Sequence, residues 1–319
     1  MHRQRTQLSR RVPRGKRFAG RLERLGVAAT YELHDRLLAN ARSRRRATAA
    51  PPELDELQRR LVGELREQGY AVVPFAELYG DDELWSAVSA RGDEFIAATE
   101  AALGDRDDET RRVHVRGGKE FVVRAYEREG AAVDAADPWL RAAVSSRLLD
   151  VANAYLGMWA KLSYLDWWYT VPQPGGAERV ASQLWHLDFD DKHLLKAFLY
   201  LVDVDADSGP FEYVPGSQPG GRHAGAWPWT PFGTGRISEE ELARRLPGAG
   251  IKSFTAPRGT LILCNTSGLH RGGYSTAKPR VLAAATFCSP ASLNALSIRN
   301  FQVTGPDALA SAAARYAVA

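Results

Sequence analysis

Hydrophobic and polar positions along the chain change their period near Gly157. Before it, apolar residues recur at helical spacing; after it, short apolar runs alternate with glycine- and proline-rich turns. The run LDELQRRLVGELREQ predicts a helix from Pro52 that stops near Gly69, and YAVVPF, residues 70–75, reads as a strand. A second helix, capped at Asp81 or Asp82, is expected through LWSAVSARGDEFIAATEAALG to Gly104. KEFVVRAY, residues 119–126, is a strand candidate. Asp137-Pro138 then opens a helix that carries Trp139, Val144, Leu148, Val151 and Tyr155 on one side and ends at Gly157.

The runs after Gly157 are MWAKLSYLDWWYT, SQLWHLDF, LLKAFLYLVDV, GPFEYVPGS, GTLILCN and RVLAAATFCS. Many short strands with Gly/Pro turns argue an antiparallel sandwich or barrel. One helical insert, SEEELARRL, starts with Ser238 as cap to Glu241 and ends at Pro247-Gly248. Helices come first and strands later, so the expected class is α+β, a mainly β core covered by N-terminal helices. No internal repeat is visible.

Charge divides the chain differently. Residues 1–46 hold 14 Lys/Arg and 3 Asp/Glu, which leaves 28 Lys/Arg and 35 Asp/Glu for the rest. The basic character therefore belongs to an N-terminal extension, 1–50, and the body, 51–319, is mildly acidic. Residues 1–17 read as disordered. Phe18, Leu22, Leu25, Leu33 and Leu37 have the spacing of a basic amphipathic helix or helix pair over 18–46, and ARSRRRATAAPP, residues 41–52, reads as a linker. Such an arm suits a solvated extension or contact with an anionic surface or partner; a nucleic-acid role is not expected from a charge run alone. No window has the apolar length of a membrane span. The arginine-rich start lacks the apolar core of a secretory signal, and Cys264 and Cys288 form no CxxC pair, so a cytoplasmic location is expected.

The candidate chemistry begins in WHLDFDD, residues 185–191. On a strand, residues i and i+2 share a face, so His186 and Asp188 project together. Alone they are weak: a histidine on a strand is more often a satisfied polar group than a ligand. Downstream stand His193, His223 and His270, the last in GTLILCNTSGLHRGG, and a lone cation, Arg280, opens the strand RVLAAATF. Two histidines and a carboxylate make a facial triad that leaves metal positions open, which suits non-haem Fe(II). An arginine can grip the carboxylate of a cosubstrate. His193 lies in an apparent loop and His223 in the glycine-rich GGRHAGAW, so neither is the favoured ligand. Asp190 and Asp191 read as loop residues, Cys264 as strand core, and Asp203, Asp205 and Asp207 as turn formers, since a calcium loop's twelfth-position glutamate is absent.

WHLD, the run KAFLYLVDVDADSGPFEYVPGSQ, and TSGLHRGG followed by PR together resemble the phytanoyl-CoA dioxygenase-like family. The resemblance is strong over about residues 180–290, weaker over 55–180, and absent from the first fifty. It implies a double-stranded β-helix (jelly roll) with its core about 158–290 and an insert or lid about 218–250. It also implies Fe(II), 2-oxoglutarate and O2 as cofactor and cosubstrates. The metal and catalytic set it implies is His186, Asp188 and His270, with Arg280 on the cosubstrate's far carboxylate. The activity it implies is hydroxylation of an unactivated C–H bond of a small molecule; desaturation, cyclisation or epimerisation would use the same triad, and a non-catalytic jelly-roll binding protein is the remaining alternative. Related halogenases carry a small residue in place of the carboxylate, so Asp188 argues against halogenation. One departure is Lys196-Ala197-Phe198-Leu199-Tyr200, where the family often has a tryptophan or another cosubstrate-facing group. Lys196, Phe198 and Tyr200 share a face by alternation, so Lys196 either touches 2-oxoglutarate or sits at the rim, with Phe198 beside it. Trp167, Trp168, Tyr169, Trp227 and Trp229 are read first as core and lid packing and second as a substrate wall.

Overall fold

The computed structural model describes residues 26–104, 121–126, 130–173, 178–233 and 235–319. The expected disorder of residues 1–17, and Phe18, Leu22 and Leu25, lie outside the described residues. Residues 26–36 form helix α1, and α2 runs Ala39–Ala49, so the segment that reads as a linker is helical nearly to its end. Alanine and arginine are good helix formers, and the helix is anchored: Ser43 is buried and donates to the Trp159 carbonyl at 2.6 Å. Leu33 and Leu37 stay exposed, so the leucine stripe is not the face that packs.

Helix α3, Glu56–Gln68, begins at Asp55, whose carboxylate accepts from Gln58 N while Gln58 closes a capping box, and ends at left-handed Gly69. Strand β1, Tyr70–Pro74, short α4, Phe75–Tyr79, and long α5, Asp82–Gly104, follow. Next come β2, Val122–Arg124, and β3, Ala131–Asp134. The single helix expected from Asp137 to Gly157 is two, α6, Pro138–Val144, and α7, Ser146–Leu156. Ser145 breaks it: its backbone is extended and its hydroxyl donates to Ala142 O at 2.9 Å.

The β region comprises β4, Lys161–Thr170, β5, Leu194–Tyr200, β6, Glu212–Tyr213, β7, Lys252–Ser253, β8, Thr260–Cys264, β9, His270–Arg271, and β10, Arg280–Cys288. The insert helix α8 is Glu239–Arg245, capped by Ser238. Six strands pair antiparallel in the order β1-β8-β5-β10-β4-β2. A smaller antiparallel sheet has the order β7-β6-β9. A third, parallel pair joins β3 to β11, Phe301–Thr304, and the hydrophobic pattern does not announce it.

The alternation expected on β5 holds. Ala197 and Leu199 pack with Leu61, Leu65, Trp139 and Leu263 in the core between helices and large sheet. Phe198 and Tyr200 point the other way, into a second core with Phe211, Tyr213, Phe254 and Ile262 between the two sheets. Two antiparallel sheets thus enclose one apolar layer, the double-stranded β-helix, with helices covering the large sheet's outer face. The insert packs behind the small sheet, where Trp227, Ile237 and Leu242 meet Trp185, Leu187 and Leu269.

The turn DADSGPFEY closes the layer at one end. Asp205 accepts from Asp207 N and Ser208 N, and its far oxygen pairs with Lys278, so these aspartates build a turn. Gly209 then takes φ 66°, and a Cβ there would lie 2.4 Å from Ser275 N. Gly209→Ala should destabilise the protein by about 3 kcal/mol from left-handed strain plus this contact, read as a lower urea midpoint at unchanged slope.

Candidate metal centre

His186 and His270 face each other as an antiparallel bridge: each backbone N–H donates to the other's carbonyl at 3.0 Å. The pair widens the small sheet by one short segment beside β9. Trp185 and His186 form only isolated bridges, so SQLWHLDF is less regular than a strand. Asp188 N still donates to Thr266 O at 2.8 Å, which keeps the segment extended and puts Asp188 on the face of His186.

Each histidine's Nδ1 lies against a backbone carbonyl, His186 on Leu184 O at 2.8 Å and His270 on Gly268 O at 2.9 Å. A carbonyl only accepts, so Nδ1 carries the proton and Nε2 keeps its lone pair. Those Nε2 atoms stand 3.9 and 3.8 Å from the Asp188 carboxylate. One ligand atom from each of His186, Asp188 and His270 lies within 4.8 Å of the other two. This donor set, two neutral imidazoles and a carboxylate on one side, fits a divalent transition ion with positions left open.

Burial and neighbouring charge tune the groups. Burial, with His270 beside it, brings the His186 pKa down to about 3. Burial also lowers His270. Burial would raise Asp188, but Lys196 and the two histidines outweigh it, and its carboxyl falls below the ordinary range. Lys196 Nζ lies 2.6 Å from Asp188 Oδ2, and that contact overrides burial and raises the lysine. Lys196 thus pairs directly with Asp188 at the candidate centre.

Arg280 is buried at the start of β10. Its Nη1 donates to Gly209 O, and a Cβ on Gly272 would lie 3.5 Å from its Nη2. Its Nε has no hydrogen-bond partner, and among the described residues no carboxylate pairs with it. A buried guanidinium with an orphaned donor is costly unless an anion meets it, so the residues present fit a carboxylate ligand. Phe198 joins this wall through Phe211, 5.4 Å away between ring centres; Phe211 lies 5.7 Å from the His270 ring.

A cavity of about 400 Å³ opens on Asp188 and Lys196. Arg124, Tyr126, Tyr164 and Trp168 line its far side. Behind them Asp166 accepts from Tyr164 Oη at 2.5 Å and from Tyr126 N at 2.9 Å. Of the aromatic candidates, Trp168 faces this space, whereas Trp167, Tyr169 and Trp227 are core. His193 bonds to Asp35 at 3.0 Å and lies outside the centre. Cys264 is buried in β8, its thiol pushed up by burial. Trp229, read as lid packing first and substrate wall second, donates its Nε1–H to Asp188 O at 3.1 Å.

The sequence profile described as Phytanoyl-CoA dioxygenase (PhyH) matches residues 65–282. No curated protein matches the chain. Several solved structures are similar. EctD from S. alaskensis, with 2-oxoglutarate and 5-hydroxyectoine, is 21% identical over 75% of this chain and 78% of that one, with a TM-score of 0.47. The epimerase SnoN, in complex with Fe3+, alpha ketoglutarate and nogalamycin RO, is 21% identical over 73% and 84%, TM-score 0.44. The carbocyclase SnoK from nogalamycin biosynthesis is 19% identical over 74% and 85%, TM-score 0.41.

Because His186 stays neutral down to about 3, Co(II) affinity, followed by visible absorption, should hold nearly flat from about pH 8 to about pH 5. An ordinary histidine would lose more than roughly tenfold over that range. Lys196→Met should tighten Co(II) binding by roughly tenfold, because the ammonium competes with the ion for Asp188.

Proposed function

The chain belongs to the phytanoyl-CoA dioxygenase family of iron- and 2-oxoglutarate-dependent oxygenases, and we propose that it hydroxylates an unactivated C–H bond of a small organic substrate. The balance is R–H + O2 + 2-oxoglutarate giving R–OH + succinate + CO2. The observation that carries this reading is the convergence of His186, Asp188 and His270 within 4.8 Å, together with a buried Arg280 that no carboxylate pairs among the described residues. Ferrous iron, when bound, supplies O2 activation coupled to oxidative decarboxylation of 2-oxoglutarate.

The chain's residues divide the remaining work. His186, Asp188 and His270 hold the metal by Nε2 and carboxylate oxygen, their tautomers set by Leu184 O and Gly268 O. Arg280 grips the far carboxylate of 2-oxoglutarate, which satisfies the orphaned Nε. With a metal on Asp188, Lys196 would be free to offer its ammonium to the cosubstrate, with Phe198 and Phe211 closing the apolar side. The substrate occupies the cavity of about 400 Å³ against Trp168 and Tyr164. A carboxylate at 188 fills the position that halogenation needs open, so hydroxylation is favoured over halide transfer. The apolar layer between the sheets keeps bulk water from the reacting face.

Anaerobic protein given Fe(II) and 2-oxoglutarate should show a weak visible charge-transfer band. His186→Ala should abolish it, and Arg280→Ala should require roughly a hundredfold more 2-oxoglutarate, the loss of a charge-assisted bidentate contact. No band in folded wild-type protein sinks the reading. With a band present, mass spectrometry of a turnover mixture distinguishes a product heavier by one oxygen from one lighter by two hydrogens.

A further inference from the structure

The matched family segment begins at residue 65, yet helix α1, well before it, touches the loop that carries Asp188. Asp191, three residues after Asp188, is fully buried. Its carboxylate accepts from Ser289 N at 2.8 Å, from His193 N at 3.0 Å, and from the hydroxyl of Tyr31. Its backbone carbonyl accepts from Ser267 Oγ at 2.5 Å, in the turn that leads to His270. One carboxylate therefore ties together the Asp188 loop, the end of β10 and α1.

Tyr31 reaches the centre by a second route. Its ring lies 5.2 Å from that of Trp229, the residue that donates to the Asp188 carbonyl. Around this contact, Asp35 of α1 pairs with Lys192 at 2.5 Å and with His193 at 3.0 Å. Arg44 and Asn40 of α2 hold Asp35 in turn, each at 2.8 Å, and Asn40 Oδ1 accepts from Ala291 N at 2.9 Å. These bonds join α1 and α2 to the two residues that follow Asp191 and to the segment after β10.

We propose that Tyr31 is a positioning residue for the metal centre: from α1 it holds Asp188 in place, through the Asp191 carboxylate and through Trp229. The basic N-terminal segment then serves the active site with its polar inner face, whatever its arginines meet outside. Neither route requires α1 to touch the ion, and Tyr31 acts only through residues already bonded to the Asp188 loop.

The test compares full-length wild type with Tyr31→Phe, which keeps the ring on Trp229, and Tyr31→Ala, which loses both contacts. Hydrogen–deuterium exchange of metal-free protein should quicken by roughly tenfold in peptides spanning 186–193 in Tyr31→Phe, and further in Tyr31→Ala. The melting temperature of Tyr31→Phe should stay within about 3 °C. Co(II) affinity should fall by roughly tenfold in Tyr31→Phe, the usual loss on removing an outer-shell partner. Unchanged exchange over 186–193 overturns the proposal, and so does a uniform rise across the chain, which marks a general stability role. The Co(II) arm rests on the functional reading above and the exchange arm does not. Wild type that binds no Co(II) therefore defeats that reading, while exchange alone decides the role of Tyr31.

Discussion

Two backbone hydrogen bonds between His186 and His270 fix the rest of the site. They set the register in which both imidazoles meet Asp188 on one face. A slip by one residue would turn one ring to the back of the small sheet, into the cluster of Trp185, Leu187 and Leu269. That apolar backing is what makes the slip unfavourable, because it would pull an apolar side chain out of its cluster and bury a histidine there without its polar partners. The insert helix α8 thus matters to the centre without touching it, since Ile237 N donates to Trp185 O at 2.9 Å and Leu242 packs beneath.

The same register explains the electrostatics. Asp188, in the loop after the His186 bridge, and Lys196, on β5 of the large sheet, meet at 2.6 Å. Arg280 enters the apolar layer from the large sheet and is held by a backbone carbonyl instead of a carboxylate. Among the described residues, then, Lys196 neutralises Asp188, while Arg280 meets a backbone carbonyl and no carboxylate. An anionic cosubstrate and a dication are the charges that complete such a set.

Much of this was legible in the chain. Alternation on Lys196–Tyr200 predicts the two faces of β5, because side chains on a strand have a period of two and both neighbours are buried. The spacing of His186 and Asp188 puts them on one face for the same reason, whereas His270 as their third partner follows from the family resemblance and not from periodicity. What the pattern does not carry is long-range pairing. Nothing local distinguishes Lys196 as a partner of Asp188, or Tyr31 as a partner of Asp191. The parallel β3–β11 pair joins distant segments of ordinary composition. The helix over residues 39–49 hides behind an arginine run that resembles a tether, since its buried face consists of Asn40 and Ser43 and lacks apolar residues. Ser145 splits a helix by a side-chain bond that periodicity cannot see.

The lysine on Asp188 has a consequence for how the protein matures. A carboxylate facing two imidazoles in an apolar layer would otherwise repel nothing but would lack a counter-charge until iron came. With the ammonium already seated there, the folded chain meets its own electrostatic requirement, so the β-helix needs no dication for charge balance at Asp188. Binding of a dication would then be an exchange of one cation for another on a finished scaffold.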